Sequence, residues 1–253
     1  MKSLAFADRV GKEILRDPLS YIFCLGFPIV MLVIMSIVDS SIPEQANMTV
    51  FHIYNLAPGI CYFGLTFIML FTSIQVSKDR STALLLRLYA SPMKAADYVA
   101  GYTIPVCVLG IAQMVICFAG AFIIGLVRGY VFSVTDMLCS MILLVPSLIM
   151  FVGAGILFGT IVNEKAAPGL CSIIISAAGM VGGIWMDIDT IGSTMKKISE
   201  LTPFRHGVVL ARVPFSENVN DMSVHLIWTV TSGILVFIPA IAIFTSKMKK
   251  DEK

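Results

Sequence analysis

Three histidines, six cysteines and a single Gly-Lys pair are the residues that invite a search for chemistry in this chain. A phosphate-binding loop needs GxxxxGK[ST], so that backbone amides and the lysine cradle phosphates. Here Gly11-Lys12 is followed by Glu13, and Phe6 stands where the first glycine would be. The chain therefore has no nucleotide cradle of that kind. A metal centre asks for clustered ligands, whereas His52, His206 and His225 lie far apart near the edges of apolar stretches. Each reads as a polar anchor, with His225 the one placed to line a path. Cys24, Cys61, Cys107, Cys117, Cys139 and Cys171 all fall in or beside apolar runs, where neither a disulfide framework nor a CxxC zinc site would put them. They read as reduced packing residues. Neither GxSxG nor HExxH occurs. The sequence thus offers no catalytic residue, no metal site and no cofactor of its own.

The elements that carry these residues are set by composition. The chain is 57% hydrophobic and 13% charged, with a mean hydropathy of +0.90, where soluble domains hold about 25% charged residues. Uncharged runs cover 18–38, 45–77, 98–127, 137–163, 166–186 and 222–246. Each reaches the roughly 20 residues that an α-helix needs to cross about 30 Å of hydrocarbon. The expectation is an all-α integral membrane protein of one domain over 1–253, with six spans near 18–38, 53–76, 98–127, 137–162, 166–186 and 223–246. No removable signal peptide is expected, because no small-residue cleavage site follows the first run. A net charge of +2 gives no reason to expect a nucleic-acid partner. Lys2, Arg9, Lys12 and Arg16, then Lys78, Arg80, Arg87 and Lys94, then the lysines of the tail all fall on one side of six spans. The excess of positive charge places both termini and the loop after the second span in the cytoplasm of a multi-pass plasma-membrane protein.

Residues 3–17 read as an amphipathic helix, with Phe6, Val10 and Ile14 on one face and Arg9, Lys12 and Arg16 on the other. Such a helix lies in the lipid interface or packs on the ends of the spans. Every expected span holds a proline: Pro28, Pro58, Pro105, Pro146, Pro168 and Pro239. Gly155 with Gly159, and Gly179 with Gly183, have the spacing of close helix contacts, most simply within one subunit. The outer segment 187–221, together with the preceding Trp185, reads as short amphipathic or re-entrant helices. In it, Pro203 opens a helix at Leu-Thr-Pro, followed by Phe204 and His206.

Two features point away from a self-powered carrier. The span centres hold no Asp, Glu, Lys or Arg to couple transport to an ion gradient. The stretch "SKDRSTALLLRLYASPMKAAD", residues 77–97, interrupts two long uncharged runs with a helix that has a charged edge and a broad apolar arc. On a helical wheel Arg80, Arg87 and Ser91 fall within about 40° of one another, while Thr82, Leu85, Leu86 and Tyr89 take the other side. So broad an apolar surface needs covering by lipid or by another protein.

These residues resemble the membrane-spanning permease subunit of type-2 ABC exporters. The N-terminal helix running into Arg16-Asp17-Pro18 is similar to that family's connecting helix. "RLYASP", Arg87 to Pro92, is similar to the end of its coupling helix, and "GGIWMDIDTIGSTMKKISELTPFRHGV" to its outer segment before the last span. Ala83-Leu84-Leu85-Leu86 departs from the family's usual Gly-Thr-Leu-Glu, and Asp187 replaces a proline. The resemblance implies a coupling helix over 78–92 whose Asp79, Arg80, Thr82, Leu85, Arg87, Leu88, Tyr89, Ser91 and Pro92 dock a separate cytoplasmic ATP-binding subunit. It further implies two copies of that subunit, holding ATP and Mg, and a second permease subunit, the same or related. The expected function is then ATP-driven export of an amphipathic, drug-like, peptide or lipid-like substrate. The rival expectation is an ion-coupled carrier or channel.

Overall fold

A computed structural model of the chain describes residues 2–43, 48–81, 93–216 and 222–251. They are helical, with no strand among them. Helix α1, Lys2–Arg16, precedes five helices long and apolar enough to cross a membrane. These are α2 (Pro18–Ser41), α3 (Ile53–Ser81), α4 (Ala95–Val127), α5 (Val134–Ile161) and the last helix of the chain, which begins at Met222. Between α5 and that last helix lies α6, Ala167–Val181, then the short helices α7 (Ile188–Ile191), α8 (Ser193–Glu200) and α9 (Pro203–Arg212). Helix α10 runs from Met222 to Asp251.

Five of the six expected spans are single helices of full length, and the run expected as the fifth span carries the shorter apolar helix α6. With 15 residues, α6 is about 22 Å long at 1.5 Å per residue, short of the roughly 30 Å of hydrocarbon. The uncharged run continues to residue 186, but the helix stops at Gly182-Gly183, where Gly183 has φ +73°. That left-handed conformation suits glycine and ends helices.

Helix α3 is the axis of the bundle, buried along most of its length. It packs on α5 through the Gly155/Gly159 pair. A Cβ on Gly155 would lie 2.6 Å from the Met69 carbonyl oxygen, and one on Gly159 2.6 Å from that of Ser73. The two backbones touch because there is no side chain to hold them apart. Where association cannot draw on the hydrophobic effect, this close packing is what holds helices together. By contrast α10 turns Ile227, Ile234, Leu235 and Ile238 outward, as a lipid-facing helix does. In α2 the turn Ile22–Gly26 widens to a π-helix just before Pro28, which accommodates the proline's missing N–H.

One end of the bundle gathers α1, the start of α4 and the end of α10. Phe6 meets Tyr98 edge-to-face at 5.3 Å between centroids, and Tyr98 lies 6.5 Å from Phe244. This terminal end also holds the last turn of α3. Lys78 to Ser81 continue α3 without a break, so the helix expected to begin at 78 has no separate start there. The far end is capped by α7 to α9. Helix α9 sinks into the bundle: a Cβ on Gly207 would come within 2.2 Å of Tyr62 Cε2. Ser140 Oγ of α5 donates to the Ala211 carbonyl of α9 at 2.7 Å.

Candidate functional sites at the two ends of the bundle

At the terminal end the central group is Asp79, its side chain 4% exposed. Expected on an outward docking surface, it turns inward. Its Oδ1 accepts from Arg9 Nη2 at 3.2 Å and its Oδ2 from Tyr102 OH at 2.7 Å. Arg9 Nη2 also donates to Glu13 Oε1 at 2.6 Å, and Glu13 Oε2 accepts from Gln75 Nε2 at 2.5 Å. Burial alone would lower the pKa of Arg9; the neighbouring Asp79 and Glu13 outweigh it and hold the pKa above the usual value. The guanidinium sits 5.6 Å above the Phe6 ring, within cation–π range. Three helices, α1, α3 and α4, thus share one charged joint.

Helix α1 owes its position to this joint and to glycine. A Cβ on Gly101 would lie 2.3 Å from Phe6 Cδ1, so Phe6 lies directly on the α4 backbone. Phe6 and Val10 are buried and Ile14 packs on the core, whereas Leu4 and Leu15 face outward. Of the two covers expected for the apolar face, lipid or the ends of the spans, it is mostly the second that it meets. Lys12 pairs with Asp8 at 2.5 Å on the exposed face, and Arg16 is exposed at the end of the helix.

Arg80, expected to reach a docked partner, reaches across the bundle instead. Its Nη1 donates to the Gly159 carbonyl at 3.0 Å and also to that of Thr160. Lys247 Nζ donates to the same Thr160 oxygen at 3.1 Å. Two cations therefore cap the C-terminus of α5, satisfying carbonyls that have no partner within the helix and the negative end of its dipole. Ser81 Oγ bonds Glu164 Oε2 at 3.0 Å in the loop that follows. The other expected docking residues, Thr82, Leu85, Arg87, Leu88, Tyr89, Ser91 and Pro92, lie outside the described residues.

The far end is built differently. Pro203 opens α9 as expected. Phe204 stacks parallel to Phe151, and Trp185 lies edge-on to Phe63 at 5.2 Å, tucked against α3 and α6. His206 is buried and stacks on Trp228 at 4.9 Å. Its Nε2 lies 2.9 Å from the Glu200 carbonyl and its Nδ1 2.8 Å from Nδ1 of His225. A carbonyl only accepts, so Nε2 of His206 carries a hydrogen. In the neutral ring Nδ1 is then the acceptor, and His225 Nδ1 is the donor. No signal in the sequence joins these two histidines, which sit on separate helices. His52 Nδ1 lies 3.1 Å from Asp39 Oδ1.

Arg212 ends α9. Its Nε donates to the Asn55 carbonyl at 2.9 Å and its Nη1 to that of Gly183 at 3.0 Å. Burial first, and the nearby Arg205 second, pull its pKa down to about 10, with Asp187 opposing them. Beside it opens a cavity of about 580 Å³. Among the described residues no group of three or more His, Cys, Asp or Glu could hold a metal ion. The six cysteines are free thiols.

A family model described as ABC-2 type transporter matches residues 3–215. No curated protein matches the chain.

Proposed function

The chain belongs to the ABC-2 type transporter family, and from that premise we propose that it is the membrane subunit of an ATP-driven exporter. In this reading the work comes from a separate ATP-binding subunit, two copies of which carry ATP and Mg and dock on the segment around 82–92. A second permease subunit, the same or related, completes the pathway. The termini lie on the cytoplasmic face of the plasma membrane, where the sequence concentrates its lysines and arginines. The uniformly apolar spans favour an amphipathic or lipid-like cargo, drug or peptide included.

The observation that carries this reading is the way the last turn of α3 is tied. Immediately before the docking segment, Asp79 is bonded to α1 and α4, and Arg80 to the end of α5, which Lys247 of α10 also grips. A displacement of residues 82–92 would be carried to four other helices as a rigid-body movement. The rival ion-coupled reading finds little support in the same place. Among the described residues Asp79 is the only buried carboxylate, and it sits at the helix end, held by Arg9 and Tyr102.

On this account Leu85, Leu88 and Tyr89 are apolar anchors and Arg87 is the charged partner of an acidic group on the ATP-binding subunit. The test is Arg87→Glu in the full chain, co-expressed with its ATP-binding subunit. The variant is expected to express and insert normally but to lose co-purification and stimulated ATP hydrolysis. Assembly and turnover equal to wild type would overturn the assignment of Arg87 and the docking segment.

A further inference from the structure

Helix α1 keeps part of its apolar surface clear of the bundle. Leu4 and Leu15, near its two ends, are 60% and 66% exposed. Both line a groove of about 450 Å³ between α1, the first half of α2 and residues 104–112 of α4. Its wall also includes Gly11, Leu25, Val108 and Ala112. A Cβ on Gly11 would lie 3.6 Å from Pro105 Cβ, so α1 passes close over α4 at this point. Among the described residues Asp8 is the one charged group of the wall, and the Tyr21 hydroxyl donates to the Leu15 carbonyl at 3.0 Å.

The groove is polar at one end and apolar at the other. Along α2 it runs past the Asp17 cap to Leu25, roughly 10 Å further at the helical rise. That places its far end inside the hydrocarbon and its rim at the level of headgroups. At the rim the charges of Lys12 and Asp8 offset each other at 2.5 Å. Asp17 accepts from the Leu19 N–H and from Ser20 Oγ at the N-terminus of α2, where the helix dipole complements its charge. Arg16 differs from these. It ends α1 beside Leu15, is exposed, and enters no ion pair or hydrogen bond among the described residues. The open charge at the rim is therefore a guanidinium.

We propose that this groove seats one anionic phospholipid, with an acyl chain along Leu25, Val108 and Ala112 and its phosphate at Arg16. The planar fork of arginine matches phosphate oxygens in bidentate geometry, and its long stem lets the guanidinium reach the headgroup level while the helix stays on the bundle. A net-neutral phospholipid would fill the apolar end but leave the charge of the rim unbalanced. A second copy of the chain would cover Leu4 and Leu15 and leave Arg16 without a counter-ion. The site uses no residue of the docking segment and stands apart from the transport reading.

The experiment measures the thermal unfolding midpoint of the purified full chain in neutral detergent, at constant ionic strength, as dioleoylphosphatidylglycerol or dioleoylphosphatidylcholine is titrated in. The proposal expects a saturable rise with phosphatidylglycerol that phosphatidylcholine does not match. Equal responses to the two lipids would overturn it. Arg16→Gln is expected to weaken the apparent affinity for phosphatidylglycerol about fivefold. Lys165→Gln, which removes an exposed lysine outside the groove, leaves that affinity unchanged. Wild-type affinity in Arg16→Gln, or the same loss in Lys165→Gln, would show a bulk charge effect and sink the site. Ala112→Phe fills the apolar end and is expected to abolish saturation; undiminished saturation there would put the acyl chain elsewhere. Arg16 is a surface residue, so its variant keeps the test open even if Ala112→Phe fails to fold. Light scattering on the same lipid-free samples adds a last outcome: a dimer that Ala112→Phe turns into a monomer would give the groove to a second copy and overturn the lipid assignment.

Discussion

Arg9 at the terminal end and Arg212 at the far end are both drawn away from water, yet they find different company. Arg9 bonds two carboxylates, one of them the buried Asp79, and lies over an aromatic ring. Arg212 bonds the carbonyls of Asn55 and Gly183. A joint of side chains joins helices distant in sequence, and it comes apart when one charge is removed. A joint made to backbone carbonyls keeps its acceptors whatever the neighbouring side chains are. The Arg9–Asp79 joint therefore ties helices through side chains alone, whereas Arg212 at the far end, like Arg80 at the terminal end, holds backbone carbonyls.

Single substitutions can break or sharpen this contrast. Arg9→Ala strands Asp79 as a buried charge and is expected to cost about 3 kcal/mol, near the lower limit for a broken buried pair because Arg9 is partly exposed. The drop in unfolding midpoint in detergent measures it. Adding Asp79→Ala to Arg9→Ala should recover part of the loss, because the stranded charge is gone. Strictly additive losses would contradict the linkage. Gly159→Val pushes a side chain into the Ser73 carbonyl and should cost about 2 kcal/mol by overpacking. Retention of the wild-type midpoint would mean that α3 and α5 do not touch there. His206→Phe preserves a flat ring against Trp228 but loses both ring-nitrogen contacts, at about 1 kcal/mol. Lys12→Ala removes an exposed i,i+4 pair and should cost less than about 0.5 kcal/mol. If Lys12→Ala and Arg9→Ala proved equally costly, the distinction between a buried linkage and a surface pair would fail.

Much of the architecture is legible in the uncharged runs. The spans expected near 18–38, 53–76, 98–127, 137–162 and 223–246 match α2, α3, α4, α5 and α10 to within a few residues at most ends. Helix α3 and α10 run on further, because a helix already begun carries charged residues past the hydrocarbon at little cost. In the fifth run the helix is shorter than the uncharged stretch, because counting charges cannot see a helix stop; the Gly182-Gly183 pair is the signal that marks it. Helix α1 was legible as amphipathic, but periodicity does not tell lipid from protein as the cover of an apolar face. What decides it is Gly101, ninety-odd residues away, which admits Phe6.

The sites are less legible than the spans. Arg80 reads as an outward charge because its wheel position continues the pattern of 82–92, and Asp79 because the family resemblance puts it on the docking helix. Their actual partners, Arg9, Tyr102 and the end of α5, lie on helices that only the packed bundle brings near. The His206–His225 pair is hidden for the same reason. Arg212 carries no motif at all, and its surroundings depend on the positive φ of Gly183.

The most direct measurement is transport and ATP hydrolysis by the purified chain in proteoliposomes, with and without its ATP-binding subunit. The account predicts no hydrolysis and no uphill movement of cargo from the chain alone, and both once the subunit and ATP are supplied. Cargo accumulated by the chain alone under a proton or sodium gradient, with no nucleotide present, would contradict it.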